Sequence, residues 1–245
     1  MSEYLIQSET LTGIADAIRA KKGTTDLIPV QNLASEIASI EGSGGGGTGG
    51  TNKLALLVGT QDATNNPYEI TAEDLAGATE ILERTFQGRT GLKGIEIPET
   101  VISIGSYAFY ECGNLTSVTF GENSQLTTIG NRAFYGCNKL TNITIPDSVT
   151  TIGDYAFRDC DSFTSIIIPD SVTTIGKGAF YNCDYLTSVT IGNSVTTIGD
   201  EAFRNCNSLT DVYYTGTEEQ WNAISIGSNN TALTNATIHY NYVPE

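Results

Sequence analysis

Apolar residues return along this chain at one long, fixed period. Phe109, Phe134, Phe157, Phe180 and Phe203 lie 25, 23, 23 and 23 residues apart, and Cys112, Cys137, Cys160, Cys183 and Cys206 keep the same intervals. From one copy to the next the pattern is IGxxAFxxCxxLTxVxIPxSVTT, represented by IGDYAFRDCDSFTSIIIPDSVTT at residues 152–174. Within VxI, apolar and polar positions alternate with strand period, so one set of side chains points inward and the other outward. A fixed period of this length predicts a solenoid in which each copy buries its apolar edge only against its neighbours. Successive VxI segments are expected to pair as parallel strands about 4.8 Å apart.

Leu115, Val118 and Phe120 recur as Leu140, Ile143 and Ile145, then as Phe163, Ile166 and Ile168, then as Leu186, Val189 and Ile191. This is the LxxLxL spacing of a leucine-rich repeat. The whole unit resembles the BspA-like leucine-rich repeat family, common in surface proteins of gut and oral bacteria, with its repeats at 81–213 and the likeness running on to 245. The resemblance implies a right-handed, curved solenoid with one sheet along its concave face, recognition surfaces, and no enzyme chemistry. Likeness of fold does not fix a ligand. The expected fold class is a repeat solenoid, mainly β with short helical turns, preceded by a small α-helical hairpin.

Residues 1–41 carry that hairpin. Leu11, Ile14, Ala15 and Ile18 have helical spacing behind a Ser8 or Thr10 cap, and Leu33, Ile37 and Ile40 form a second stripe after Lys21-Lys22-Gly23 and Pro29. So short a unit seldom supports its own core. Leu11, Ile14, Ile18, Leu33 and Ile37 therefore read as an assembly surface, for a homo-oligomer or for another protein, with docking inside a single chain as the alternative. The wording ETLTGIADAIRAKKGTTDLIPVQNLASEI also resembles an N-terminal module of tail and other structural proteins of Firmicutes phages and prophages. That resemblance implies other virion proteins as partners. Residues 42–52 are a Gly-rich linker, a flexible coil with an end-to-end distance of about 18 Å. Residues 53–80 read as an N-terminal cap, with a strand in KLALLVGT and a short helix opened by Thr71 and Asp74. A degenerate copy follows, with Phe86, Leu92, Ile95 and Ile97 in register and Arg89 in place of cysteine. Residues 214–245, which hold the only Trp (Trp221) and the only His (His239), read as a C-terminal cap with Trp221 as a packing anchor.

Charge narrows the partners. With 28 acidic against 12 basic residues the net charge is -16 and no Lys/Arg run occurs, so nucleic acid is not expected as a ligand. No run of 18 or more apolar residues exists, so no membrane span is expected. The stretch MSEYLIQSETLTG lacks the basic and apolar regions of a secretory signal. Because the cysteines share one column, they are expected to pack as small buried side chains rather than as disulfides. A lone His239 offers no catalytic triad, the carboxylates sit singly in turns, and no His/Cys cluster has metal-ligand spacing. No enzyme activity, metal or other cofactor is expected.

Two surfaces remain. Outward strand positions such as Ser117, Ser165, Ser188, Thr119, Thr144 and Thr190, with Ile167 and Tyr213 among them, form a flat, mainly hydroxyl face. The residue after each Phe forms a second column, Tyr110, Tyr135, Arg158, Tyr181 and Arg204. Tyr and Arg are enriched in binding hot spots, so this column is the candidate ligand site; side chains that merely cover that side are the alternative. The function read from these features is a phage virion structural protein. Its solenoid would recognise a bacterial surface glycan or protein, or a mucosal ligand. The alternative is a bacterial adhesin or protein interaction module at the cell surface or outside the cell. Deleting residues 1–41 is expected to leave a folded monomer; light scattering that gives equal masses for full-length and truncated protein would remove the assembly role.

Overall fold

In the computed structural model, which describes residues 67–244, the sequence period becomes a spiral of parallel strands. The hairpin of residues 1–41 with Leu11, Ile14, Ile18, Leu33 and Ile37, the linker, and the strand expected near 53–60 lie outside the described residues.

A turn contributes a longer and a shorter strand, except that the one holding residues 142–145 lacks the longer. The longer ones are β1 (Tyr68–Ile70), β3 (Leu92–Ile97), β5 (Ser117–Phe120), β8 (Ser165–Ile168), β10 (Ser188–Ile191), β12 (Asp211–Tyr214) and β14 (Thr237–His239). The shorter ones come from Thr-Ile and its variants: β2 (Glu80–Ile81), β4 (Ser103–Ile104), β6 (Thr128–Ile129), β7 (Thr151–Ile152), β9 (Thr174–Ile175), β11 (Thr197–Ile198) and β13 (Ser225–Ile226). Pairing is parallel and follows the repeat register, as in Ile166 opposite Val189 opposite Val212, except for a shift between Tyr68 and Glu69 where β1 meets β3. The short strands form one unbroken seven-stranded sheet. This second ribbon differs from the single sheet that the family resemblance implied.

The third side of the spiral is a run of tight turns around AFxxC, and it carries the core. The rings of Phe86, Phe109, Phe134, Phe157, Phe180 and Phe203 stack with centroids 4.9–5.4 Å apart and planes within 15° of parallel. From Phe86 to Phe180, each Phe N–H donates to the Ala carbonyl of the following turn, for example Phe134 to Ala156 at 2.8 Å and Phe157 to Ala179 at 2.7 Å. The cysteines are buried and free, and each thiol donates back to a Phe carbonyl of the preceding turn, as in Cys160 to Phe134 at 3.2 Å and Cys183 to Phe157 at 3.3 Å. A side chain here must be small, apolar in body and able to donate once, which a thiol is. Glycine closes the packing where the turns nearly touch: a Cβ at Gly176 would lie 2.6 Å from the Gly153 carbonyl carbon.

Three expectations change. Thr71 and Asp74 do exchange capping bonds, Thr71 N–H to Asp74 Oδ2 at 2.9 Å and Asp74 N–H to Thr71 Oγ1 at 3.4 Å. Yet the chain runs on in i to i+3 turns through a left-handed Gly77, not as a helix. The reason is that both ends are pinned by pairing, β1 to β3 and β2 to β4, so the segment follows the path of a repeat.

The long ribbon is also not continuous. It divides into a three-stranded sheet (β1, β3, β5) and a four-stranded sheet (β8, β10, β12, β14), and no strand forms at residues 142–145 between them. Elsewhere the residue after the strand donates to the turn before it: Gly121 to Ile97 at 3.0 Å, Gly192 to Ile168 at 2.9 Å, Thr215 to Ile191 at 3.1 Å. Pro146 and Pro169 occupy that position on the two sides of the break, and proline has no N–H to give; Pro98 holds it after the paired β3 as well, so one missing donor is tolerated and two in successive turns mark the break. The turn before the break also carries two extra residues: Phe120 to Ile129 spans nine positions where Ile145 to Ile152 spans seven. Finally, the hydroxyl face is less uniform than expected, with Thr190 buried and Ile167 53% exposed.

The C-terminal end is closed by α1 (Glu218–Asn222) and α2 (Thr231–Asn235). A Thr217/Gln220 capping box starts α1, and Trp221 packs edge-on against the buried Tyr214 ring at 5.2 Å, the anchoring role expected of it. Phe203 has no following turn to donate to, and the buried Asn230 side chain replaces it: Oδ1 accepts from Phe203 N–H at 3.0 Å while Nδ2 donates to the Gly199 and Gly227 carbonyls.

Phe157 stacks on Phe134 and Phe180 and touches Phe163, so its loss opens two interfaces at once. Phe157→Ala is expected to cost about 3–5 kcal/mol in chemical denaturation, and a cost below about 1 kcal/mol would mean the column is not core.

Candidate functional site

The turn side presents the column proposed from sequence. Tyr110 and Tyr135 stack at 4.8 Å, Arg158 lies over Tyr135 at 5.1 Å and over Tyr181 at 4.6 Å, and Arg204 lies over Tyr181 at 5.7 Å. Thus Tyr110, Tyr135, Arg158, Tyr181 and Arg204 form one continuous file. Arg158 pairs with Asp159 at 3.2 Å and Arg204 with Glu201 at 2.7 Å, so both guanidinium groups are held in place and partly neutralised.

A second file, missed from sequence, runs beside it at the position two before each Phe: Arg84, Tyr107, Arg132 and Tyr155. Arg84 and Arg132 lie over the Tyr107 ring at 5.0 and 5.4 Å, and Arg132 also lies over Tyr155 at 5.0 Å. Arg132 donates to the Tyr107 hydroxyl at 2.7 Å. Arg158 reaches Tyr155 at 5.7 Å and joins the two files into a ridge. The alternation Arg, Tyr, Arg, Tyr at the repeat interval was available as a signal in the sequence.

The second file is built against a backbone preference. Arg84, Tyr107, Arg132, Tyr155 and Glu201 all have φ between 54° and 61°, the left-handed region. For a residue with a Cβ this costs about 1–2 kcal/mol, whereas each cation–π contact returns about 0.5–1 kcal/mol at an exposed site. The ring contacts, one for Arg84 and two for Arg132, together with the bond from each of these N–H groups to the next turn, offset part of that cost. The N–H bonds include Tyr107 to Asn131 at 2.9 Å and Arg132 to Asp154 at 2.8 Å. Only Gly178 in this file escapes the strain, and the Tyr155 ring fills the space its side chain would occupy.

Two other features lie away from the ridge. At the break in the long ribbon lies an open cleft of about 520 Å³ lined by Ser117, Thr119, Glu122, Asn142 and Asp147 among others. Near the C-terminus, His239 Nε2 meets Asp211 Oδ1 at 2.7 Å, and Tyr213 stacks on His239 and against Tyr242, each at 4.7 Å. The bond from His239, then that from Thr210, lowers the Asp211 carboxyl below its usual range. Among the described residues, no group of three or more His, Cys, Asp or Glu is placed to hold a metal ion, and no helix is long and apolar enough to cross a membrane.

Short parallel strands, a stacked Phe column and a cysteine column repeating turn by turn define a leucine-rich repeat solenoid. The chain belongs to the BspA type leucine rich repeat region family, whose profile matches six copies over residues 79–210. Among solved structures it is similar to a leucine rich repeat protein of T. pallidum, with 29% identity and a TM-score of 0.54, covering 61% of this chain and 66% of that one. It is also similar to a leucine rich cell surface protein from Faecalibacterium prausnitzii, with 34% identity and a TM-score of 0.49, covering 62% of this chain and 48% of that one. The chain thus spans less than two thirds of the length of either. A comparison with curated proteins gives no match. A solenoid of this kind is typically a scaffold for binding.

The cysteine column carries a chemical consequence. Burial pushes the Cys112 and Cys206 thiols up to about 12, and Cys137, Cys160 and Cys183 well above the ordinary thiol range. Because the folded values are raised, their stabilisation is complete below the ordinary thiol value and is lost as pH climbs from there towards 12, where only the unfolded chain gives up protons readily. Denaturation midpoints are expected to fall steeply above pH ~9, and to fall less in Cys160→Ala. In the folded protein, thiol reagents are expected to label these cysteines only at the rate of unfolding; rapid stoichiometric labelling of the folded chain would contradict this.

Proposed function

We propose that this protein is a non-catalytic recognition module, displayed at a bacterial surface or outside the cell, that binds a surface glycan or protein through its Tyr/Arg ridge. The observation that carries this reading is the ridge itself. One of its two files, Arg84, Tyr107, Arg132 and Tyr155, is kept at positions where a left-handed backbone favours glycine, and strain of that kind concentrates at functional sites. The side chains are pre-stacked, so little rotamer freedom remains to be lost on binding, and Tyr and Arg are hot-spot residues. Successive turns present the same groups at a regular rise, which suits an extended polymer better than a compact molecule.

A second reading, display on a phage particle, rests on the likeness of residues 9–37 to N-terminal modules of phage structural proteins. In that case residues 1–41 would join other virion proteins or copies of this chain, and the solenoid would read the host surface. Co-sedimentation of the full-length protein with purified phage structural components, compared with a variant lacking residues 1–41, separates the two readings.

The ridge is tested by binding full-length protein and the variant Tyr135→Ala, Arg158→Ala, Tyr181→Ala to whole bacterial cells, host matrix and a glycan array. Loss of more than about tenfold in affinity, about 1.4 kcal/mol, is expected for the variant. Equal binding by both proteins would move the site elsewhere.

A further inference from the structure

The ridge ends at Arg204, and beyond it the solenoid is capped on two of its files but not on the third. In the file two before each Phe, Glu201 N–H reaches the Ser228 carbonyl at 2.8 Å; in the Phe file, the Asn230 amide closes the last N–H. In the file two after each Phe, five N–H groups donate to the following turn: Gly88, Glu111, Gly136, Asp159 and Asn182, at 2.7–2.9 Å. The sixth, Asn205, has no such partner among the described residues. Its side chain ends a ladder as well: Asn182 Nδ2 donates to Asp159 Oδ1, and Asn205 Nδ2 donates to Asn182 Oδ1, both at 2.8 Å, and Asn205 Oδ1 accepts from no group among the described residues. Asn207 repeats the arrangement, with Nδ2 on Asp184 Oδ1 at 2.8 Å and Oδ1 unused.

At this uncapped corner lies an open pocket of about 410 Å³, walled by Asn205, Asn207, Asn229, Thr231 and Asn235 with Arg204 at its rim. Leu209 and Cys206 supply its small apolar part. The Arg204 charge is met by Glu201 at 2.7 Å, so the pocket is in effect neutral and rich in amides. It offers a backbone donor and two amide acceptors side by side. A carboxylate could use only the donors of this lining and an ammonium only its acceptors. A hydroxyl does both.

From this we infer that the C-terminal corner is a saccharide subsite, taking a neutral sugar unit whose vicinal hydroxyls complete the ladders left open at Asn205 and Asn207. The subsite stands apart from the Tyr/Arg ridge and uses none of its five residues except Arg204 at the rim. Affinity for a single sugar is weak, because the pocket is open to water and each neutral hydrogen bond adds little net free energy.

The test is an NMR titration of the full-length protein with neutral mono- and disaccharides (glucose, galactose, N-acetylglucosamine and their β-linked dimers), with inorganic phosphate and acetate as probes of anion binding. Saturable shifts confined to the backbone amide of Asn205 and the side-chain amides of Asn205, Asn207 and Asn235 are expected with at least one sugar and with neither anion. Asn235→Leu, which fills the pocket, should weaken that binding at least tenfold, by about 1.4 kcal/mol, at an unchanged melting temperature. Asn205→Gly tolerates the left-handed turn while removing the amide acceptor, and should also weaken it. The variant Tyr135→Ala, Arg158→Ala, Tyr181→Ala should bind the small sugar normally, so failure of the ridge and failure of this subsite give different results. Absence of sugar-dependent shifts, equal shifts with phosphate, or unaltered binding by Asn235→Leu would overturn the inference.

Discussion

Every turn of this molecule must hand its backbone N–H groups to carbonyl oxygens of a neighbouring turn about 4.8 Å away, and the rest of the structure follows from that transfer. The rings of the Phe column stack because the Phe N–H and the next Ala carbonyl are held at bonding distance. The glycines after each Thr-Ile strand are there because backbones that close leave no room for a Cβ. The cysteines sit where a small side chain can return one more donor to the turn before. Where the transfer cannot occur the solenoid changes character: at Pro146 and Pro169 the ribbon divides, and at the C-terminal end a side-chain amide from Asn230 takes over the missing role.

The same transfer explains how a strained surface is maintained. Residues such as Tyr107 and Arg132 adopt a left-handed backbone because their N–H groups must reach Asn131 and Asp154 in the next turn. Once the backbone is fixed, side chains at the same position in successive turns leave it in register and stack. The ridge is thus a by-product of repetition that the particular choice of Arg and Tyr turns into a surface with aromatic area and charge. In a chain of net charge -16, Arg84, Arg132, Arg158 and Arg204 concentrate along this one line.

Much of this was legible in the sequence, for a physical reason. A solenoid core is made by identical positions stacking on each other, so Phe, Cys and VxI columns could be found by alignment of the chain with itself, and the file from Tyr110 to Arg204 came with them. The file from Arg84 to Tyr155 has the same period, but its importance lies in a backbone conformation that Arg and Tyr do not advertise. The break at 142–145 was hidden more deeply. Asn142-Ile143-Thr144-Ile145 is as good a strand sequence as its neighbours, and what distinguishes it is the coincidence of prolines after two successive turns with two extra residues before, since a single proline at Pro98 leaves β3 paired. The uncapped corner at Asn205 depends on which ladder the C-terminal segment fails to extend, and a turn-by-turn count of donors is needed to see it.

The divided ribbon has a mechanical meaning for any protein whose ligand pulls on it. A load along the solenoid axis passes through the interfaces between turns in series, so the chain extends first where fewest bonds cross. Around residues 142–145 one of the three sides contributes no strand pairing, while the short ribbon from β6 to β7 to β9 and the turn side remain intact. The molecule is therefore two blocks joined by a seam with less strand pairing, which the short ribbon and the stacked rings of Phe109, Phe134 and Phe157 hold together.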